Sequence, residues 1–202
     1  MNTVDRSIKL PRPAHDGKLA LEAAFLGRRS IRDYRQGPLD LNEISQLLWA
    51  AQGIVRPGGY RTCPSAGALY PLELQVVAGA VEGLPCGCYR YDIANHAMLL
   101  ENERDIRGVL ATAALGQSMI SRAPATIAIS AIFERTTRRY GERGMRYVFM
   151  EAGHAAQNIH LQAVSLNLGT VVIGAFRDEE VKRVMGFGPR ESPLLLMPVG
   201  RI

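Results

Sequence analysis

The stretch MRYVFMEAGHAAQNIHLQAVSLNLGTVVIGAF, residues 145–176, decides the fold. Between Met145 and Leu168 its one breaker is Gly153, and Ala152, Ala155, Ala156, Ile159, Ala163 and Leu166 recur at helical spacing. Small side chains dominate its faces, which predicts a central helix with close neighbours on more than one side. Gly169 reads as its C-terminal cap, and Thr170 to Ala175 as a strand that follows.

Outward from that helix, Leu72–Ala78, Gly87–Tyr91, Met98–Leu100, Ala125–Phe133 and Leu194–Val199 read as strands. Lys18–Gly27, Leu39–Gln52, Glu103–Met119 and Asp178–Met185 read as helices. Strands and helices mix without regular β-α-β alternation, so the expected class is α+β. Residues 53–71 carry Gly53, Pro57, Gly58, Gly59, Pro64, Gly67 and Pro71, a density of breakers that predicts a long irregular loop. Loops of that length inside compact domains are usually functional. Residues 1–17, rich in proline and charge, read as an N-terminal arm without core of its own, one able to pack on a partner subunit; residues 18–202 read as a single domain.

With 202 residues, 47% of them hydrophobic and 21% charged, the chain can bury a sizeable core. No apolar stretch approaches the roughly 20 residues that span a bilayer, and the N-terminus has no signal-peptide core, so a cytoplasmic protein is expected, with no membrane partner. Cys63, Cys86 and Cys88 read as reduced residues, since one residue between the last two is too few for the usual C-x2-C spacing. The net charge of +5 favours an anionic partner. A basic nucleic-acid-binding module is the non-enzyme alternative, but the cations are scattered and do not interleave aromatics as a base-stacking platform would.

Neither G-x-G-x-x-G nor G-x-x-x-x-G-K-[ST] occurs, nor H-E-x-x-H, nor G-x-S-x-G, so no Rossmann, P-loop, zincin or hydrolase-elbow reading is available. His154 and His160 lie about 600° apart along the helix, or about 120° between faces, and cannot readily share a metal; none is expected. His154 reads as a core or supporting residue.

Four features carry chemistry instead. Arg28, Arg29, Ser30 and Arg32, in RRSIRDY, offer guanidinium forks and a hydroxyl at one bend, a set that matches a phosphate dianion. Equally, cations after a helix offset its dipole. Arg201 stands just beyond the last strand, where it can reach a groove at the sheet's end. Ser65, Ala66, Gly67 and Ala68 expose bare backbone suited to a flat ligand, and VVIGAF, 171–176, does so again at Gly174-Ala175. Together they describe a site for a planar head and an anionic tail. Gln117 and Tyr140 are candidate substrate contacts, Tyr70 reads as a packed residue, and Glu73 reads as an ion-pair partner.

The order R-R-S-x-R-x-[FY] (28–34), P-S-x-G-x-x-Y-P-x-E (64–73), E-x-G-H-x-x-Q-N through I-G (151–174) and V-G-R (199–201) resembles the nitroreductase-like flavoprotein family, nearest its SagB-type, azoline dehydrogenase-like branch. The resemblance covers about residues 20–202. It implies a nitroreductase-like fold, with a central, mostly antiparallel sheet flanked by helices, in a domain-swapped homodimer with FMN at the subunit interface. By position, Arg28, Arg29, Ser30, Arg32 and Arg201 would hold the ribityl phosphate. Pro64, Ser65, Ala66 and Gly67 of the other subunit would cover the isoalloxazine. The backbone at Ile173, Gly174 and Ala175 would face flavin N5, and Arg32 is the candidate cation near N1. The implied activity is NAD(P)H oxidation with hydride transfer through FMN, by a ping-pong mechanism, to an electron-poor acceptor such as a nitroaromatic or quinone. The alternative is dehydrogenation of a thiazoline, oxazoline or similar small metabolite. Ala68 and Gly174 stand where many family members carry asparagine and glutamate. Arg139-Tyr140 stands where azoline dehydrogenases carry Lys-Tyr, and an arginine cannot serve as a base.

Overall fold

The computed structural model describes residues 7–202. Seven antiparallel strands form its sheet, in the spatial order β1 (Ser7–Lys9), β8 (Ala97–Asn102), β7 (Gly87–Asp92), β5 (Leu72–Ala78), β9 (Ala125–Ala131), β11 (Ser192–Arg201) and β10 (Leu168–Thr170). Two short pairs stand apart from it: β2 (Leu39–Asp40) runs parallel to β6 (Val81–Glu82), and β3 (Ile54–Arg56) makes a hairpin with β4 (Tyr60–Arg61). The helices are α1 (Leu21–Gly27), α2 (Leu41–Gln52), α3 (Arg107–Ala113), α4 (Met119–Arg122), α5 (Glu134–Tyr140), α6 (Arg143–Ser165) and α7 (Asp178–Met185).

The pleat sorts the side chains into two cores. Leu72, Leu74 and Val76 of β5 join Ile127 and Ile129 of β9 beneath α2 and α6, while Val77, Ala128 and Leu196 meet α3, α4 and α7 on the other face. The small residues Ala152, Ala155, Ala156, Ile159 and Ala163 let α6 lie close over the sheet and against α2, the central position expected of it. Asp40 caps α2, accepting from Glu43 N at 2.8 Å while the Glu43 carboxylate accepts from Asp40 N at 2.9 Å. The α+β class and the antiparallel sheet are as expected.

Several boundaries differ. Helix α6 ends at Ser165, and the left-handed residue after it is Asn167 (φ 56°) rather than Gly169. Gly169 lies inside β10, where a Cβ would come within 2.6 Å of Ile202 and 2.7 Å of Ile31. The strand expected over Thr170–Ala175 is confined to Leu168–Thr170; opposite the next position stands Pro198, which has no N–H, and the chain rejoins β11 only where Ile173 and Leu196 exchange two 2.9 Å bonds. The helix expected over 103–119 breaks after Ala113, at the left-handed Leu115 (φ 59°) and Gly116 (φ 77°). Within the 53–71 loop lie a hairpin turning at Gly58 and Gly59 and a 3-10 turn at Ala66–Ala68.

Residues 1–6 of the expected arm lie outside the described residues. The rest does contribute to the core: β1 extends the sheet along β8, Leu10 is buried, and the Pro11 carbonyl accepts from Ser45 Oγ at 2.6 Å. Among the described residues, no helix is long and apolar enough to cross a membrane, and no cluster of His, Cys, Asp and Glu could hold a metal. All three cysteines are free, and burial pushes the Cys63 and Cys88 thiols up to about 12.

Candidate functional site

Helix α6 turns two unlike faces to its surroundings. Phe149, Ala152, Gly153, Ala156, Gln157 and His160 fall on one stripe and line a cleft of about 370 Å³ with Arg28, Val172, Leu194 and Leu195. A second cleft of about 400 Å³ also takes in Arg28 and His160, together with Arg29, Asn167 and Thr170. The first cleft is mostly apolar and the second adds Arg29 to the Arg28 they share, so the pair matches a ligand with a flat apolar end and an anionic end.

The sequence-predicted residues fall into three groups. Arg28 and Arg29 line the clefts. Ser30 and Arg32 lie beside them in sequence, exposed, and line neither. Arg201 is engaged elsewhere: both its terminal nitrogens meet the Glu43 carboxylate, Nη2 at 2.9 Å, and Nε donates to the Pro38 carbonyl at 3.1 Å. It lines neither cleft.

Val172 lines the apolar cleft, and Ile173, Gly174 and Ala175 follow it in the chain without lining either cleft themselves. Ile173 is fixed to β11, while the N–H groups of Gly174 and Ala175 are exposed and donate to nothing among the described residues. The nearest atom to a Cβ added at Gly174 would be Leu195 Cδ2, 3.9 Å away and itself part of the cleft wall. Gln117, placed by the break after α3, donates from Nε2 to the Ala175 carbonyl at 2.7 Å and to the Ala114 carbonyl at 3.0 Å. The structure thus brings two separately nominated segments together.

Pro64, Ser65, Ala66 and Gly67 line neither of these clefts. They stand against the other face of α6 and the end of α5. Left-handed backbone at Gly67 (φ 62°), Ala68 (φ 54°) and Tyr70 (φ 47°) concentrates strain in this loop. A Cβ at Gly67 would meet Tyr140 Oη at 2.8 Å and Arg139 Nη1 at 3.1 Å, so Tyr140 packs on this loop rather than on the apolar cleft. Ser65 Oγ accepts from Tyr70 N at 2.9 Å, and the Arg61 guanidinium lies 4.4 Å over the Tyr70 ring. Glu73 is an ion-pair partner, as expected, of Arg135 at 2.5 Å and Arg90 at 3.9 Å.

Two residues without a functional reading in the sequence matter here. Glu151 is 2% exposed beneath the loop; Ser65 and Gln52 approach its carboxyl and Arg61 faces it, yet Oε1 has no partner. Burial pushes it up to about 7, against the pull of Ser65 and Arg61. His160, rather than His154, is the buried histidine; His154 is exposed. The signal for His160 was the stripe of small residues on its face of α6, which leaves room for a ligand beside it.

A profile of the nitroreductase family matches residues 26–201. The chain is 47% identical over 184 residues to a protein of Methanocaldococcus jannaschii that carries a nitroreductase name, spanning 91% of this chain and 92% of that one. The fold superposes with a TM-score of 0.85 on the crystal structure of a protein of that name from Ralstonia eutropha, at 31% identity, over 100% of this chain and 91% of that one. The microcin B17-processing protein McbC of Escherichia coli is 27% identical over 175 residues, covering 81% of this chain and 63% of its own.

Proposed function

The chain belongs to the nitroreductase family, and on that premise we propose that it is an FMN-dependent oxidoreductase that uses NAD(P)H to reduce an electron-poor acceptor, such as a nitroaromatic or a quinone, by a ping-pong mechanism. Members of the family generally use FMN and are typically dimeric. The observation that carries the reading is the pair of clefts that share Arg28 and His160, one mostly apolar and the other lined by both Arg28 and Arg29.

The donor set fits the cofactor. Arg28 and Arg29 would hold the phosphate through charge-assisted bonds, with Ser30 and Arg32 beside them. Arg201 would join them by exchanging Glu43 for the phosphate. Phe149, Leu194 and Leu195 would exclude water from the ring, and the unpaired N–H groups of Gly174 and Ala175 would face it as donors. Gln117, by gripping the Ala175 carbonyl, anchors the 175–176 peptide that follows those donors. When bound, FMN supplies the hydride exchange at N5.

The loop bearing Pro64, Ser65, Ala66 and Gly67 would cover the flavin of a second copy. Exposed apolar side chains support the dimer: Leu21, Phe25 and Leu26 on α1, and Met145, Phe149 and Met150 on α6, too many to leave in water. A nucleic-acid module is the weaker reading, because Arg90, Arg107, Arg122, Arg135, Arg177 and Arg201 are already paired with carboxylates.

Anaerobic addition of NADH or NADPH to FMN-loaded protein, followed by a panel of nitroaromatics and quinones, tests the activity. Bleaching of the flavin and its reoxidation by an acceptor are expected; a protein that stays colourless with excess FMN overturns the reading. The likeness to McbC favours a second reading, SagB-type oxidation of an azoline or similar metabolite, with Arg139 and Tyr140 against the Gly67 loop as its residues. Flavin bleached by a thiazoline peptide but not by either nicotinamide would select it.

A further inference from the structure

Among the residues that line the two clefts, Arg28 and His160 alone line both. His160 is 6% exposed, yet no hydrogen bond reaches its ring from any described residue. By contrast His96 is held by Tyr91 Oη at 2.7 Å and Ser45 Oγ at 2.8 Å. The ring nitrogens of His160 are not sealed inside the fold, so at the junction of the two clefts they are free to bond a ligand that fills them.

We propose that His160 is a further binding residue for the cofactor, bonding its anionic tail where it passes from the apolar cleft into the arginine-lined one. The inference rests on the FMN reading above. In the free chain, burial and the Arg28 guanidinium hold the imidazole below its usual range, so the ring is neutral near pH 7. A phosphate dianion in the same space favours the charged ring, so a proton moves from the buffer to the ring nitrogen as the tail enters; no covalent bond of the ligand changes. The other charged groups lining the clefts are the guanidiniums of Arg28 and Arg29, which do not titrate in this range. On α6 itself, Glu151 lies on the opposite face, against the Ser65 loop.

The test is calorimetric titration of FMN into flavin-free protein near pH 7.5, in two buffers of unlike ionisation enthalpy. Free FMN is then already a dianion, its second pKa being about 6. Wild type is expected to take up about one proton per FMN, and His160→Gln none, with affinity lower by about tenfold, the loss of one charge-assisted bond. Riboflavin, which lacks the phosphate, is expected to bind wild type without proton uptake. Tight FMN binding with no uptake, or uptake that persists in His160→Gln or accompanies riboflavin, overturns the proposal. If His160→Gln does not fold, the contrast between FMN and riboflavin in wild type decides alone. Failure of any FMN to bind overturns the flavin reading as well, and so differs from failure of His160 alone.

Discussion

Replacing Glu151 by glutamine keeps the shape of the side chain and removes its charge. The native carboxyl sits at about 7 against an ordinary value of 4.5, with burial the leading cause. A raised acid binds its proton more tightly in the folded chain. Its contribution is therefore fully present below pH 4.5 and is lost as pH rises toward and through 7. The interval of about 2.5 units corresponds to at most about 3 kcal/mol, at about 1.4 kcal/mol per unit. Glutamine has no proton to lose, so Glu151→Gln should match wild type in stability near pH 4 and exceed it by up to about 3 kcal/mol near pH 8.5. With a urea slope of about 2 kcal/mol/M, the midpoint separation should open by about 1.5 M over that range. Urea unfolding followed by far-UV circular dichroism at a series of pH values, with FMN held in fixed excess, reads it. Two curves that run parallel from pH 4 to 8.5 would refute the reasoning, because the buried carboxyl would then not be titrating between the two states.

Three other outcomes are expected. Glu43→Gln should tighten FMN binding several-fold by releasing Arg201 while keeping the α2 cap, and Arg201→Ala should weaken it; equal affinity in both variants, by fluorescence titration, would remove Arg201 from the phosphate site. Gln117→Ala frees the Ala175 carbonyl and should lower FMN affinity by about three- to tenfold, the worth of roughly one hydrogen bond, with little change in melting temperature. A normal affinity would show that the Gly174-Ala175 donors are held in place without it. Phe149→Glu puts a charge on the exposed apolar face of α6 and should weaken the dimer by about a hundredfold or more, since burying an unpaired charge costs several kcal/mol. Light scattering that finds an unaltered dimer would place the interface elsewhere.

Much of this fold was legible because local pattern and tertiary demand agree. Strand β5 and helix α7 fall within their expected bounds: the first carries Leu72, Leu74, Val76 and Val77 between Pro71 and Gly79, the second begins with three acids and ends in a left-handed glycine. Disagreement arose where long-range packing overrides propensity. Leu115 takes a left-handed conformation that no leucine prefers, and the resulting break is what carries Gln117 to Ala175. Asn167 and Gly169 exchanged roles because the glycine was needed for close approach to Ile31 and Ile202, a contact between distant segments. In the site, Arg28 and the Gly174 backbone could be named from local chemistry. The Glu43 grip on Arg201 spans 158 positions and was not visible in either neighbourhood. His160 has no metal-ligand spacing to His154; its meaning lies in what α6 leaves empty beside it.

Fluorescence titration of flavin-free protein with FMN, run in parallel on wild type and Arg28→Ala, tests the central claim most directly. The account predicts saturable quenching at one FMN per chain in wild type, and affinity reduced by about a hundredfold in the variant that loses the arginine common to both clefts. Saturation at the same affinity in both proteins would place the cofactor elsewhere, and no saturable quenching in either would contradict the account itself.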